Sequence, residues 1–112
     1  MKEITWQEFK QVELRIGTIV DVKDFPEARK PAYKLIIDFG EEIGIRKSSA
    51  QITQHYSKQE LIEKQILAVV NFPPKQIGPF MSECLVTGLP DSEGKVILLS
   101  PDVKVENGSK LF

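Results

Sequence analysis

Tyr56-Ser57-Lys58-Gln59-Glu60-Leu61-Ile62-Glu63-Lys64 reads as a short helix set between strands. The Ser57 hydroxyl can accept from the Glu60 amide while the Glu60 carboxylate reaches back to the Ser57 amide. Tyr56 and Leu61 stand at the apolar staple positions on either side of that box. The pattern predicts a helix running to about Lys64. The same grammar occurs at Thr5-Trp6-Gln7-Glu8, with Ile4 and Phe9 as the staple pair, and predicts a helix from Trp6 to about Val12.

Between and after these two helices the chain reads as strand. Leu14, Ile16, Thr18, Val20 and Val22 alternate with Arg15, Gly17, Ile19, Asp21 and Lys23, the period of a half-buried strand in which Gly17 marks a bend or bulge. Tyr33, Leu35, Ile37 and Phe39 alternate again, Gly40-Glu41-Glu42 turns the chain, and Ile43 to Ser48 returns as a hairpin partner. Ile66 to Val70 is continuously apolar and predicts a strand covered on both faces. Phe72-Pro73-Pro74 ends it, because proline has no amide to give a ladder. Cys84 to Thr87 and Val96 to Leu99 flank a turn at Gly88 to Gly94, and Asn107-Gly108 makes a last turn before Lys110-Leu111-Phe112.

Helix, three strands, helix, then further strands is the order of a mostly β chain built as an OB-fold. This is a five-stranded Greek-key barrel with a helix between its third and fourth strands, here extended at both ends. An SH3-like barrel would lack the interior helix. A ferredoxin-like sheet would place its first helix after the first strand. No internal repeat or low-complexity linker interrupts the chain, so residues 1–112 read as one domain.

Composition bounds the function. With 41% hydrophobic and 28% charged residues the chain can build a core, and disorder finds no support. Met1 to Gln7 lacks an apolar leader and no stretch reaches the roughly 18 apolar residues of a membrane helix, which reads as a cytoplasmic chain without membrane insertion. Cys84 and His55 are the sole cysteine and histidine, too little for a disulfide or a Cys/His zinc site, and no metal or cofactor is expected. Neither glycine-rich phosphate cradles nor a calcium loop occur, and nothing assembles a catalytic set, so binding is the expected activity and not catalysis. The net charge of -1 requires any anion-binding face to be local. Basic residues gather at Arg29-Lys30, Lys34 and Arg46-Lys47, acidic ones at Glu41-Glu42 and Asp91 to Glu93.

Two segments are rich in residues able to hold a ligand. In Ile45-Arg46-Lys47-Ser48-Ser49-Ala50-Gln51-Ile52, charge, hydroxyls and an amide stand close enough to take a phosphate and a base edge. Asn71-Phe72-Pro73-Pro74-Lys75-Gln76-Ile77-Gly78-Pro79-Phe80-Met81-Ser82-Glu83 combines a cation, amides and aromatics on a loop stiffened by proline. Barrels of this class pair positive grooves with aromatic platforms to bind nucleic acid.

At these segments the chain resembles the EMAP-II-type tRNA-binding domain family, and within it the small chaperone-like members. Related domains are also appended to methionyl-tRNA and phenylalanyl-tRNA synthetases. The marks span nearly the whole chain: Val12 to Ile19, Phe25 to Arg29, Lys34 to Gly40, Ile43 to Thr53, Val69 to Pro74, and Pro101-Asp102. Where many synthetase-appended members read Ser-Glu-Gly-Met, this chain reads Ser82-Glu83-Cys84-Leu85. The resemblance implies an OB-fold whose terminal extensions form a two-fold dimer interface, tRNA binding without aminoacylation, and a role in protein export. Carried over by motif, Arg46, Lys47, Ser48, Ser49, Gln51, Asn71, Lys75, Ser82 and Glu83 are expected to bind tRNA, with Arg46 and Lys47 on phosphate. In the rival reading Phe72, Ile77, Phe80 and Met81 line a groove for segments of unfolded, export-bound polypeptides. Trp6, Phe9, Val103, Val105 and Leu111 are surplus to a five-stranded barrel and are expected at the interface of a homodimer.

Overall fold

A computed structural model describes residues 1–112. Its elements run α1 (Trp6–Lys10), β1 (Leu14–Asp24), β2 (Tyr33–Asp38), β3 (Ile45–Ala50), α2 (Lys58–Leu61), β4 (Gln65–Val69), β5 (Lys75–Ile77), β6 (Phe80–Ser82), β7 (Leu85–Val86), β8 (Gly88–Pro90) and β9 (Val96–Leu98). Both capping boxes form with each of their two hydrogen bonds present. The helices are shorter than their patterns predict. After α2, Ile62 leaves helical geometry and Glu63 turns left-handed at φ 70°, donating its amide to the Ile19 carbonyl of β1.

The main sheet is antiparallel with order β3-β2-β1-β4-β7. β1 is long enough to pair with β2 along its second half and with β4 along its first, which bends the sheet into a barrel. A register shift between Ile19 and Asp21 places the bulge at Val20 and not at Gly17. Gly17 has a different reason to be glycine: a Cβ there would lie 2.6 Å from Ile37 Cγ2 and 2.7 Å from the Phe39 ring. Ile19, Leu35, Ile37, Phe39, Leu61 and Ile66 fill the barrel, fully buried, and α2 stoppers one end through Leu61.

The wall closes where β3 meets Ser82 to Cys84. The Glu83 amide donates to the Lys47 carbonyl and the Lys47 amide to Glu83 Oε1, the Ser49 amide donates to Ser82 Oγ, and Ser48 Oγ donates to the Cys84 carbonyl. The fifth barrel strand is therefore the interrupted run Phe80 to Val86. This is the five-stranded OB-type barrel expected, with helix α2 between its third and fourth strands.

Two hairpins are additions to the sequence reading. Lys75–Ile77 pairs with Phe80–Ser82 across Gly78-Pro79, and Gly88–Pro90 pairs with Val96–Leu98 where a plain turn was expected. The tail folds back on β1: the Ile16 amide donates to the Ser109 carbonyl, the Gly108 amide to the Ile16 carbonyl and the Leu111 amide to the Leu14 carbonyl. Glu13 fastens this junction, contacting Arg15 and Lys110 each at 2.9 Å. Those two cations hold its carboxyl below the usual carboxylate range, the hydrogen bond from Lys110 first.

Candidate functional site

Alternation along β2 sends Tyr33, Leu35 and Ile37 into the core, which turns Lys34 and Ile36 outward. Along β3 Ser48 points in, and Lys47 and Ser49 point out. The register sets Lys34 opposite Ser49 and Ile36 opposite Lys47, so two ammonium groups share the outer face on a diagonal. Lys23 stands opposite Lys34 across β1 and adds a third, with Asp21 3.9 Å from it. Like charges so placed repel one another and favour an anion that would bridge them.

The row rests on aromatic rings. Phe25, the first residue after β1, and Phe80 of β6 lie 5.4 Å apart at 58°. Lys34 Nζ is 4.9 Å from the Phe25 centroid and 5.8 Å from that of Phe80, and Lys47 Nζ is 5.3 Å from the Phe80 centroid. These are cation–π distances. Neither lysine enters any of the ion pairs of the fold. A ring orients an ammonium without cancelling its charge, so the field of both lysines remains available to a ligand.

The residues expected on tRNA are spread over several places. Lys47 and Ser49 lie on the outer face, Gln51 follows them past the end of β3, and Lys75 is exposed on the β5–β6 hairpin. Arg46, adjacent to Lys47, takes the opposite side of the strand, where its guanidinium donates to the Val70 carbonyl at 3.2 Å across the barrel end. Ser48 and Ser82 are buried, and with Glu83 they form the closing seam. Asn71 is spanned by its own bonds, donating to the Gln11 carbonyl and accepting from the Glu13 amide, and so ties α1 to the barrel.

The four residues expected on peptide also separate. Cross-strand partners share a face, so Ile77 and Phe80 face one side of the hairpin and Gln76 and Met81 the other. Phe72, 54% exposed, instead joins Pro73, Lys75, Ser82, Cys84 and Leu85 around a cleft of about 320 Å3. Burial pushes the Cys84 thiol up to about 11, which makes it a packed apolar group.

Of the expected interface residues, Trp6 is 57% exposed and its ring lies tilted at 43° to that of Phe9, with centroids 5.4 Å apart. They border a groove shared with Val12, Leu111 and Phe112. Val103 is exposed, and the Val105 amide donates to Gln65 Oε1. No side chain of α1 is buried.

Sequence alone does not single out Phe25 and Lys34 as members of the cluster with Phe80. Strand parity could have found Lys34, which must face out wherever Tyr33 and Leu35 face in. Phe25 carries no such signal, since only the folded chain sets it against Phe80. No group of three or more His, Cys, Asp or Glu side chains gathers as a metal site would require.

An OB-type barrel with unneutralised cations over aromatic rings on its β2–β3 face, flanked by the loops after β1 and β4, has the architecture of an oligonucleotide-binding module. The family described as "Putative tRNA binding domain" matches residues 14–110, and the chain belongs to that family. Among solved structures, the CsaA chaperone protein from Picrophilus torridus is 55% identical with TM-score 0.92, covering 98% of this chain and all of that one. Chaperone CsaA from Bacillus anthracis is 47% identical with TM-score 0.91, over 99% of this chain and all of that one. Methionine–tRNA ligase of Pyrococcus furiosus is 36% identical over 99% of this chain, which spans only 15% of that enzyme's length. No helix is long and apolar enough to cross a membrane.

Proposed function

We propose that this chain is a noncatalytic tRNA-binding module that works as a cytoplasmic homodimer and grips RNA backbone on the outer face of β2 and β3. The observation that carries the reading is the pair Lys34 and Lys47, held over Phe25 and Phe80 with no carboxylate partner. Lys23, Lys75 and Ser49 extend the same surface. Arg46, Asn71, Ser48, Ser82 and Glu83 serve it from behind by holding β3, the closing strand and α1 in place. Two-fold symmetry would present the lysine row twice to one polyanion, so avidity offsets a net charge of -1.

A second reading rests on the cleft beside Phe72 and Leu85, both more than half exposed. An apolar hollow edged by Lys75 suits an extended, unfolded polypeptide. The similarity to chains named CsaA chaperones supports a chaperone-like activity, which we extend to polypeptides awaiting export.

The test is a titration with total tRNA at two salt concentrations, alongside a sizing column. Binding by a dimer that weakens steeply with salt upholds the first reading. Lys34→Ala with Lys47→Ala should flatten the salt slope by about 0.7 to 0.9 for each phosphate that the protein no longer neutralises. No binding at low salt removes it, and leaves Phe72→Ala and Leu85→Ala against an unfolded client as the deciding experiment.

A further inference from the structure

Four outward residues form a cell where β2 meets β3. Lys34 and Ile36 stand on β2, with Ser49 opposite Lys34 and Lys47 opposite Ile36. The lysines thus hold one diagonal, roughly 7 to 8 Å across, a gap that long side chains span. Both reach toward one point. Lys34 Nζ and Lys47 Nζ lie 5.8 and 5.3 Å from the centroid of the same ring, Phe80, so the two ammonium groups converge and do not splay.

The third corner carries a free hydroxyl. The Ser49 amide donates to Ser82 Oγ at the seam, but Ser49 Oγ enters no hydrogen bond of the fold, whereas the hydroxyls of Ser48 and Ser82 both donate to the Cys84 carbonyl. A serine hydroxyl offers one donor to a ligand. The fourth corner, Ile36, is half-buried and apolar, and stands between Lys47 and Asp21, its partner on β1. Asp21 is engaged elsewhere: Oδ1 accepts from the Val22 amide, and Oδ2 lies 3.9 Å from Lys23. Glu83, across the seam, gives Oε1 to the Lys47 amide.

Two convergent cations beside one hydroxyl donor suit a single oxyanion. Set between the lysines, it takes a charge-assisted bond of about 2.8 Å from each and relieves their mutual repulsion, while the hydroxyl fixes its orientation. Two phosphates, one to each lysine, would instead draw the ammonium groups apart and off the ring that seats them both.

We propose that Lys34, Lys47 and the Ser49 hydroxyl form one discrete site for a single phosphate of the RNA strand, which the two lysines share. The inference rests on the RNA-binding reading above and adds its stoichiometry: the pair of lysines counts as one contact.

Total tRNA is titrated at a series of salt concentrations into the wild-type chain, Lys34→Ala, Lys47→Ala, the double variant, Ser49→Ala and Ser49→Thr. Each neutralised phosphate contributes about 0.7 to 0.9 to the salt slope. A shared phosphate stays neutralised while either lysine remains. Each single lysine variant should therefore bind more weakly at a nearly unchanged slope, and the double variant should lose one increment. Ser49→Ala removes no charge, so affinity should fall about tenfold at unchanged slope, and Ser49→Thr, which restores the hydroxyl, should recover it. Increments that add, one for each lysine and two in the double variant, overturn the shared site and leave RNA binding standing. A double variant that loses no slope, or full affinity in Ser49→Ala, overturns the site in the same way. If tRNA does not bind the wild type, the RNA reading fails, and inorganic phosphate decides the site at matched ionic strength. A saturable shift of the Ser49 amide resonance that the double variant lacks upholds it, and no shift overturns it.

Discussion

The Lys47 ammonium lies 5.3 Å from the centroid of the Phe80 ring, and the Lys34 ammonium lies 5.8 Å from the same ring. Phe80 therefore acts as a seat for charge before it can act as a platform for a base. Phe80→Leu keeps most of the bulk and removes the quadrupole, so the lysines lose their orientation but not their charge. RNA affinity should fall about three- to fivefold with the salt slope unchanged, read by titration at several salt concentrations. A variant that loses slope as well as affinity would mean that the ring anchors the hairpin and not the cations.

Trp6 is the chain's single tryptophan and is 57% exposed, on a helix with no fully buried residue. If a second copy covers α1 and the tail, tryptophan emission should shift to the blue as concentration rises through the dimer range. Trp6→Ala should then move the sizing-column transition to at least about tenfold higher concentration, a loss of about 1.4 kcal/mol or more. Concentration-independent emission with a monomer peak would sink the dimer.

Gly17→Ala forces a methyl group against Ile37 and Phe39, both fully buried. Overpacking of this kind costs about 1 to 3 kcal/mol, which urea denaturation should show as a lower midpoint with an unchanged slope. Val20, at the bulge, is 45% exposed, and Val20→Ala should cost far less.

Cys84 deprotonates at about 11 in the fold against an ordinary 9.0, because burial disfavours the thiolate. The unfolded chain loses this proton first, so unfolding is favoured as pH rises, and stability falls between about pH 9 and 11. The total is on the order of 2 kcal/mol. Cys84→Ala should lack that component of the alkaline slope, and the native thiol should react with a thiol reagent at neutral pH only as fast as the protein opens.

Asp91 works in the other direction. His55 first, then the Lys95 and Glu93 amides, hold its carboxyl below its ordinary 3.8, so its stabilisation is present above that value and fades as pH drops through the lower folded value. Asp91→Asn should unfold more readily than the wild type at neutral pH and match it in strong acid, measured as urea midpoints across the acid range.

The fold was legible because its signals are local or periodic. The boxes at Thr5 and Ser57 formed as written, and alternation from Tyr33 to Phe39 sorted core from surface. Along Leu14 to Lys23 it did not: strict alternation set Val20 with the apolar side and Ile19 opposite it. Ile19 is fully buried and Val20 is 45% exposed, because the bulge at Val20 shifts the parity of the strand. The β5–β6 hairpin escaped notice because Lys75–Ile77 and Phe80–Ser82 are too short to show a period and sit among proline and glycine. The site was less legible, since composition groups neighbours that a strand divides. Arg46 and Lys47 look like one basic patch and occupy opposite sides of β3, as Phe80 and Met81 do on β6. What the sequence hides is the company of Lys47: Phe80, distant along the chain, becomes its neighbour only when the barrel closes.

At the seam beside β3, a single hydrogen bond joins main chain to main chain, from Glu83 to Lys47, and the rest depend on the side chains of Ser48, Ser82 and Glu83. Such a joint is an expansion gap in an otherwise continuous wall. Amide protons of Lys47 and Ser49 should exchange with deuterium sooner than that of Leu35, locked between strands. β3 stays bonded to β2 along six partnered positions, so each opening keeps Lys47 in register with Lys34 and parts the pair of charges from the Phe80 side of the seam.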